Sequence, residues 1–467
     1  MTVHKTRSHG AAIGMIDMAM REDLYGCPVS LAPTGDLAAW NACQAAFLAH
    51  GASTPTHLNA AIESDPHFAL AHACRGLFGA LLGRRETLAM AREAEADMRF
   101  AIAQRPVTAR EQAFADALSL WNAGSPARAA ARLDEALRAM PHDAMAMKLV
   151  QAIRFVVGDA RGMRASIEGA LPALGPDHPA HGYALGCHAF TLEETGEYAA
   201  AERTGREACA IAPDDAWGLH AVAHVYDMTN DTAAGIAWLT QRPQAWAHCN
   251  NFRFHVWWHQ ALMHLDRGEI DAVLALYDRD IRAERTDDYR DISNAVSLLS
   301  RLELEGVDVG TRWDELARLC EARTDDACLA FADLHYMLAL LGGGRGAAAH
   351  ELLARIRRDA VSVTTEPEAV LRHPGLAAAE GLVAFAEGSH VRAFAHLRRG
   401  RDAMATIGGS HAQRDIFERI TIEAGLRAGD HEGTRALLDQ RTARRAGRMD
   451  AFARTRIEAL DRASALS

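Results

Sequence analysis

Residues 113–141 read AFADALSLWNAGSPARAAARLDEALRAMP, and residues 184–213 read ALGCHAFTLEETGEYAAAERTGREACAIAP. Each is a run of helix formers, a glycine turn, a second helical run and a proline. Gly124, Ala129, Ala136 and Pro141 match Gly196, Ala201, Ala208 and Pro213 position for position. The alanines let two helices approach closely. The proline falls where a helix must end, since it has no amide hydrogen to offer. Working outward, the same turn anchor recurs at Gly83, Gly158, Asn230, Gly268, Gly306, Gly343, Gly388 and Gly429. The steps from Gly124 to Gly306 are 34, 38, 34, 38 and 38 residues. Such a period is the mark of stacked helical hairpins, each burying its apolar face only against its neighbours. Residues 40–66 add a further helix pair ending in proline. The predicted fold is therefore all-α, with about ten helix pairs sharing one continuous core.

The unit resembles the tetratricopeptide repeat, which implies a right-handed α-solenoid, curled or closed into a superhelix. Residues 1–37 read as an N-terminal extension and extended loop, with two prolines and two glycines in YGCPVSLAPTGDL. Residues 38–467 read as a single superhelical domain. RRDAVSVTTEPEAVLRHPG is the longest irregular stretch inside it. LLGGGRG lacks the GK[ST] ending of a phosphate loop and reads as an inter-helix turn.

Composition narrows the function. The chain is 49% hydrophobic, enough for a large core, with a formal net charge of -11 and a pI near 6.1. Nucleic acid is not expected as the partner, because phosphate neutralisation needs a basic face. No apolar run is long enough for a transmembrane span, and the first twenty residues lack a secretory pattern. Eight scattered cysteines without a CxxC read as reduced thiols in a cytoplasmic protein. The basic run RTARRAGRMDAFARTR reads as a solvated helix face.

In the tetratricopeptide fold the first helix of each pair lines the concave surface. The resemblance implies that the positions doing so lie three to four residues apart. In DDAWGLHAVAHVYDM, residues 214–228, these are Trp217, His220, His224 and Asp227. The next repeat offers His255, Trp258 and His259. His220 and His255 are 35 residues apart, as are His224 and His259. Two adjacent helices thus each present a histidine pair at i, i+4 to one space. His188 and Glu193 lie near the face one repeat earlier, and Asp333 and His335 lie further on. Trp257 lies off the face and is expected in the core. Arg414, in GGSHAQRDIF, either braces two helices with Asp415 or reaches a ligand anion.

DAWGLHAVAHVYDM, FHVWWHQALMHLDRGEIDAVLALYD, TAREQAFADAL and GGSHAQRDIFERI resemble blocks of the tetratricopeptide repeat protein 38 family. The similarity runs from about Asp23 to the C-terminal helices. It implies the fold over nearly the whole chain, and no particular reaction. The family pattern has Asn after the first histidine of its HxxWH block, where this chain has Val256.

An aromatic, imidazole and carboxylate surface points to a small polar organic molecule, bound and, in an enzyme, converted by acid/base chemistry. His220 or His224 is then the acid/base group and Asp227 its orienter. Trp217, His255, Trp258, His259, His188, Glu193, Asp333, His335 and Arg414 are the expected ligand contacts. The alternative is an interaction scaffold with a peptide in the groove. Histidines at i, i+4 can also bind zinc or be satisfied structurally. HAVAH lacks the glutamate of HExxH, so the hydrolytic metal motif is absent; a four-histidine site with His255 and His259 is geometrically possible, but no metal and no cofactor are expected. Solenoid ends need capping, which a homodimer would supply.

Overall fold

A computed structural model describes residues 20–466. The segment that was read for a secretory pattern lies outside them up to residue 19. A short antiparallel hairpin comes first, β1 (Arg21–Glu22) with β2 (Pro28–Val29). The N-terminal helix pairs are α1 (Leu37–Leu48) with α2 (Thr54–Ser64), α3 (Ala69–Leu81) with α4 (Arg85–Gln104), and α5 (Ala109–Asn122) with α6 (Pro126–Ala139). Then come α7 (Ala144–Val156) with α8 (Ala160–Ala170), α9 (His181–Glu194) with α10 (Tyr198–Ile211), and α11 (Ala216–Met228) with α12 (Thr232–Thr240). A short α13 (Gln244–Ala247) leads to α14 (Phe252–Asp266) with α15 (Ile270–Leu276), and α16 (Tyr289–Leu304) with α17 (Arg312–Glu321). The C-terminal part holds α18 (Ala330–Gly342) with α19 (Gly346–Asp359), a short α20 (Glu366–Val370), and α21 (Leu376–Ala386) with α22 (His390–Gly400). It ends in α23 (His411–Ala428), α24 (His431–Arg444) and α25 (Ala451–Leu466).

The turn anchors account for this spacing. Gly83, Gly124, Gly158, Gly196, Asn230, Gly268, Gly306, Gly344, Gly388 and Gly429 all sit at positive φ. Glycine takes that conformation without a Cβ clash, and asparagine tolerates it. The eighth anchor falls at Gly344, one residue beyond the expected Gly343. Helix starts are capped by Asp143, Asp159, Asp215, Asp231 and Asp430, and by capping boxes at Thr108–Glu111 and Ser410–Gln413. The stretch expected to be irregular is partly helical, since Thr365 caps α20 through Glu368; residues 360–365 are not helical, and the chain kinks at His373 before a cis bond to Pro374.

The solenoid closes on itself. The Asn250 amide donates to the His50 carbonyl at 2.9 Å, and Gly51 bridges Cys249. Further along, Arg323 meets Glu86 at 2.8 Å, and the Glu366 amide donates to the Gly124 carbonyl at 2.9 Å. The His411 amide donates to Glu194 at 2.7 Å, and Asn230 donates to the Met449 carbonyl at 3.2 Å. Partners joined across this closure, such as His248 with Ala49 and Ala127 with Glu366, are 199 and 239 residues apart. Successive inter-helix turns of the first half therefore dock in order onto the second half.

One turn gives a direct check. Gly158 and Gly268 share the left-handed conformation, but a Cβ on Gly158 would enter the Ala405 carbonyl, whereas at Gly268 it meets nothing within 4 Å. Gly268→Ala is expected to lose about 1–2 kcal/mol, the ordinary left-handed penalty. Gly158→Ala loses more, because a backbone carbonyl cannot move aside. Equal melting temperatures for the two variants would refute the docking of this turn.

The basic C-terminal run is not a solvated face. Arg441, Arg445 and Arg456 are 2%, 5% and 7% exposed. Arg441 pairs with Asp415 and Asp450, Arg445 with Asp227, and Arg456 with Glu305. For Arg445 and Arg456 the carboxylates come from distant repeats, 218 and 151 residues away, and for Arg441 from neighbouring elements, which local charge patterning does not show. Among the described residues, no helix is long and apolar enough to cross a membrane.

Candidate ligand cavity and imidazole cluster

Two adjacent first helices, α11 and α14, bring four imidazoles together. Asp215 caps α11 by accepting from the Trp217 and Gly218 amides at 3.2 and 3.1 Å, which sets the rotation of the helix. His220 and His224 then lie one turn apart on its inner face, opposite His255 and His259 on α14. The Nε2 atoms of His224 and His220 are 2.9 Å apart, those of His220 and His255 2.9 Å, and those of His255 and His259 3.1 Å. His220, His224 and His259 are buried, while His255 is half-buried. On the outer side of two rings stand fixed acceptors. Asn294 Oδ1 lies 3.0 Å from His255 Nδ1, and Glu193 Oε2 lies 3.4 Å from His224 Nδ1.

Burial holds His220 and His259 well below the ordinary imidazole range, aided by the neighbouring rings, and pushes His255 down to about 3. For His224, burial also lowers the value, but the carboxylates of Glu193, Glu194 and Asp227 together offset it and the net shift is upward.

Beside His255 opens a cavity of about 330 Å3, walled by side chains from both halves of the superhelix. Phe47, Phe78, Trp217 and Phe252 form its aromatic surface. His50 packs against both Trp217 and Phe252, with ring centroids 5.4 and 4.7 Å away, and those two rings also meet at 5.6 Å. Lys148, on α7, is only 5% exposed and lines this space. Its Nζ lies 5.3 Å from the Trp217 ring centroid, and no carboxylate among the described residues pairs with it. Arg290, also at the wall, is already held by Asp288 at 2.7 Å. Asp291 accepts from Asn251 at 3.1 Å and from the Thr286 hydroxyl at 2.5 Å. Burial, with Asp288 adding to it, pushes the Asp291 carboxyl up to about 6. The cavity thus combines an apolar body site, one lysine with three unassigned donors, an imidazole edge and an acid that titrates near neutrality.

Several sequence-predicted residues lie elsewhere. Asp227 is not the carboxylate beside His224; Arg445 holds it at 3.2 Å, and Glu193 takes the place at the ring. Asp227 and Arg414 line a separate cavity of about 480 Å3. Arg414 donates to the Gly408 and Gly409 carbonyls and lies 3.4 Å from Glu194, so it braces the closure. His188 faces Glu168 at 3.4 Å, away from the cluster. Asp333 is paired with buried Arg355 at 2.5 Å. His335 Nδ1 lies 2.7 Å from the Phe331 carbonyl oxygen. Trp258 is fully enclosed, its ring stacked on His255 at 5.2 Å, whereas Trp257, expected in the core, is only half-buried. Burial pushes the Cys187 and Cys249 thiols up to about 11 and about 12, which leaves no thiolate nucleophile here.

Sequence reasoning missed Lys148, His50, Asp291 and Asn294. For Lys148 a signal existed. Only two of the 50 Lys and Arg residues are lysines, Lys5 and Lys148. In a chain that otherwise uses arginine, a single lysine inside the apolar run of α7 stands out.

By its own architecture the chain is an all-α helical-repeat solenoid, closed around an interior site. No protein-family model matches it. Among solved structures, the human IFIT1 dimer with PPP-AAAA is similar at 14% identity and a TM-score of 0.38, over 85% of this chain and 91% of that one.

Proposed function

We propose that the chain, as a tetratricopeptide superhelix of the repeat protein 38 kind, binds a small organic anion with an aromatic or apolar body in the interior cavity. Lys148 carries this reading: the residue is only 5% exposed, its ammonium lines the cavity without an ion pair, and a ligand anion placed there would complete it. The aromatic walls suit a flat apolar body, and about 330 Å3 falls in the range of small-molecule sites. Docking of successive turns onto each other also favours a small ligand over a peptide laid along an open groove. The acid/base role passes from His220, His224 and Asp227 to Asp291, a carboxyl on the wall of this cavity. Asp291, at about 6, can take or return a proton near neutral pH.

The test is titration calorimetry with aromatic monocarboxylates from benzoate to 1-naphthoate. Lys148→Met keeps the length and apolar stem of the side chain but removes the donors. A hydrogen bond to a charged group contributes roughly 1.5–3 kcal/mol, so the variant is expected to bind about 10–100-fold more weakly at unchanged melting temperature. Equal affinity in parent and variant, or no binding by the parent, overturns the reading.

A further inference from the structure

The four imidazoles are not satisfied by one another. A ring nitrogen presents one in-plane direction, occupied either by a proton or by a lone pair. Three Nε2–Nε2 contacts run in a chain from His224 through His220 and His255 to His259. The two middle atoms each face two partners, so at most two of the three contacts can be hydrogen bonds. The outer partners choose tautomers. Asn294 Oδ1 accepts from His255 Nδ1, and the Glu193 carboxylate 3.4 Å from His224 Nδ1 favours a proton there, so both Nε2 lone pairs turn inward, where Nε2–H of His259 and of His220 can meet them as two separate pairs. Those pairs leave the outer side of the cluster unsatisfied: both Glu193 oxygens and the Nδ1 atoms of His220, His224 and His259 are buried without a hydrogen bond.

We propose that His220, His224, His255 and His259 bind one divalent first-row transition-metal ion through their four Nε2 atoms. All four rings offer a nitrogen within 4.8 Å of the others. A zinc–imidazole bond of about 2.0–2.1 Å implies nitrogen edges of roughly 3.3–3.4 Å in a tetrahedron. The close pairs, at 2.9 to 3.1 Å, need to open by a few tenths of an ångström, and the wider pairs, within 4.8 Å, to close towards the same edge. With the protons of His220 and His259 moved to Nδ1, a cation replaces two hydrogen bonds among the rings by four ligand bonds. Its charge balances the buried Glu193 carboxylate. Asn294 and Glu193 are then the outer partners that hold ligand rings in the right tautomer and orientation. Phe190, Trp217 and Trp258 pack around the rings at centroid distances of 4.9 to 5.6 Å and exclude water. Four nitrogen donors without oxygen or thiolate select zinc, copper, nickel or iron over magnesium and calcium. Four rings complete a tetrahedral shell, so the ion clamps α11 to α14 behind the cavity wall.

The full chain, purified without chelator and without a metal column, is analysed for elements, then stripped and titrated with Co(II) and with Zn(II). One equivalent is expected, with visible d–d absorption of nitrogen-ligated, low-coordinate Co(II) that Zn(II) removes. The melting temperature is expected to rise with ion concentration. Asn294→Ala is expected to weaken Zn(II) roughly 10–100-fold. His255→Ala with His259→Ala should abolish the Co(II) absorption while circular dichroism stays helical. If that double variant does not fold, the parent spectrum and Asn294→Ala decide. Lys148→Met should bind the ion as the parent does, which separates this site from the anion cavity. No stoichiometric ion, or an octahedral Co(II) spectrum indifferent to Asn294→Ala, overturns the proposal.

Discussion

Arg110→Ala is expected to lose about 3–5 kcal/mol of stability, because it strands two buried carboxylates at once. Arg110 donates to Asp143 at 2.6 and 2.9 Å and to Asp23 at 2.8 Å, and all three side chains are at most 1% exposed. Each partner has a second task. Asp143 caps α7 by accepting from the Ala146 amide, and Asp23 holds the hairpin turn through the Tyr25 and Cys27 amides at 3.0 Å. One guanidinium therefore joins the hairpin, α5 and α7, the helix that carries Lys148. Coulomb attraction in a poorly screened interior supports the arrangement only while every charge has its partner. Exposed Arg128 makes no ion pair among the described residues, so Arg128→Ala should stay within about 0.5 kcal/mol of the parent. Urea unfolding followed by circular dichroism compares the two. A difference below about 1 kcal/mol would show that the pairs carry little net stability.

Arg441→Ala is expected to cost a similar 3–5 kcal/mol at neutral pH, with a pH dependence opposite to that of the parent. Arg441 meets Asp450 at 2.6 Å and Asp415 at 2.9 Å, and Arg419 meets the same pair at 2.9 and 2.6 Å. Burial alone would raise both carboxyls, but Arg441 and Arg419 hold Asp415 and Asp450 well below the usual carboxylate range. A carboxyl depressed in the folded state contributes stability above its unfolded pKa and loses it as the pH falls towards the folded value. The parent should therefore weaken below the unfolded aspartate pKa of about 3.9. Without Arg441 the carboxylates are buried with less compensation, their folded values rise, and protonation relieves them. The penalty of Arg441→Ala should then shrink as the pH is lowered. Unfolding midpoints for parent and variant between about pH 3 and pH 7 test this, and parallel curves would sink it.

Both predictions concern residues that local reading misjudged or passed over. Arg441 sits in a run that looks like a solvated basic helix, and the spacing along that run does not show that Asp450, nine residues on, and Asp415, twenty-six residues back, fold onto it. The same holds at the site. The i, i+4 spacing of His220 with His224 and of His255 with His259 placed four rings on two adjacent helical faces, because a helix repeats about every 3.6 residues. The orienting carboxylate was misassigned. Asp227 shares the stripe with His224, but Glu193 on the preceding repeat reaches the ring at 3.4 Å. Adjacent repeats differ by a rotation that spacing along one helix does not contain.

The sequence by itself determined the repeat. Its period, its left-handed turns at glycine or asparagine, its capped helix starts and the polar stripe of α11 all follow from backbone geometry within a few tens of residues. Only the tertiary structure decided how far the superhelix coils and which turns meet about 200 residues away. It also decided that Lys148 of α7, His255 of α14 and Asp291 of α16 line one cavity. The physical reason is accumulation: each repeat adds a small rotation set by side-chain packing. Closure, with the buried charges and interior cavity it creates, is the sum of those rotations and has no signature in any one stretch of chain.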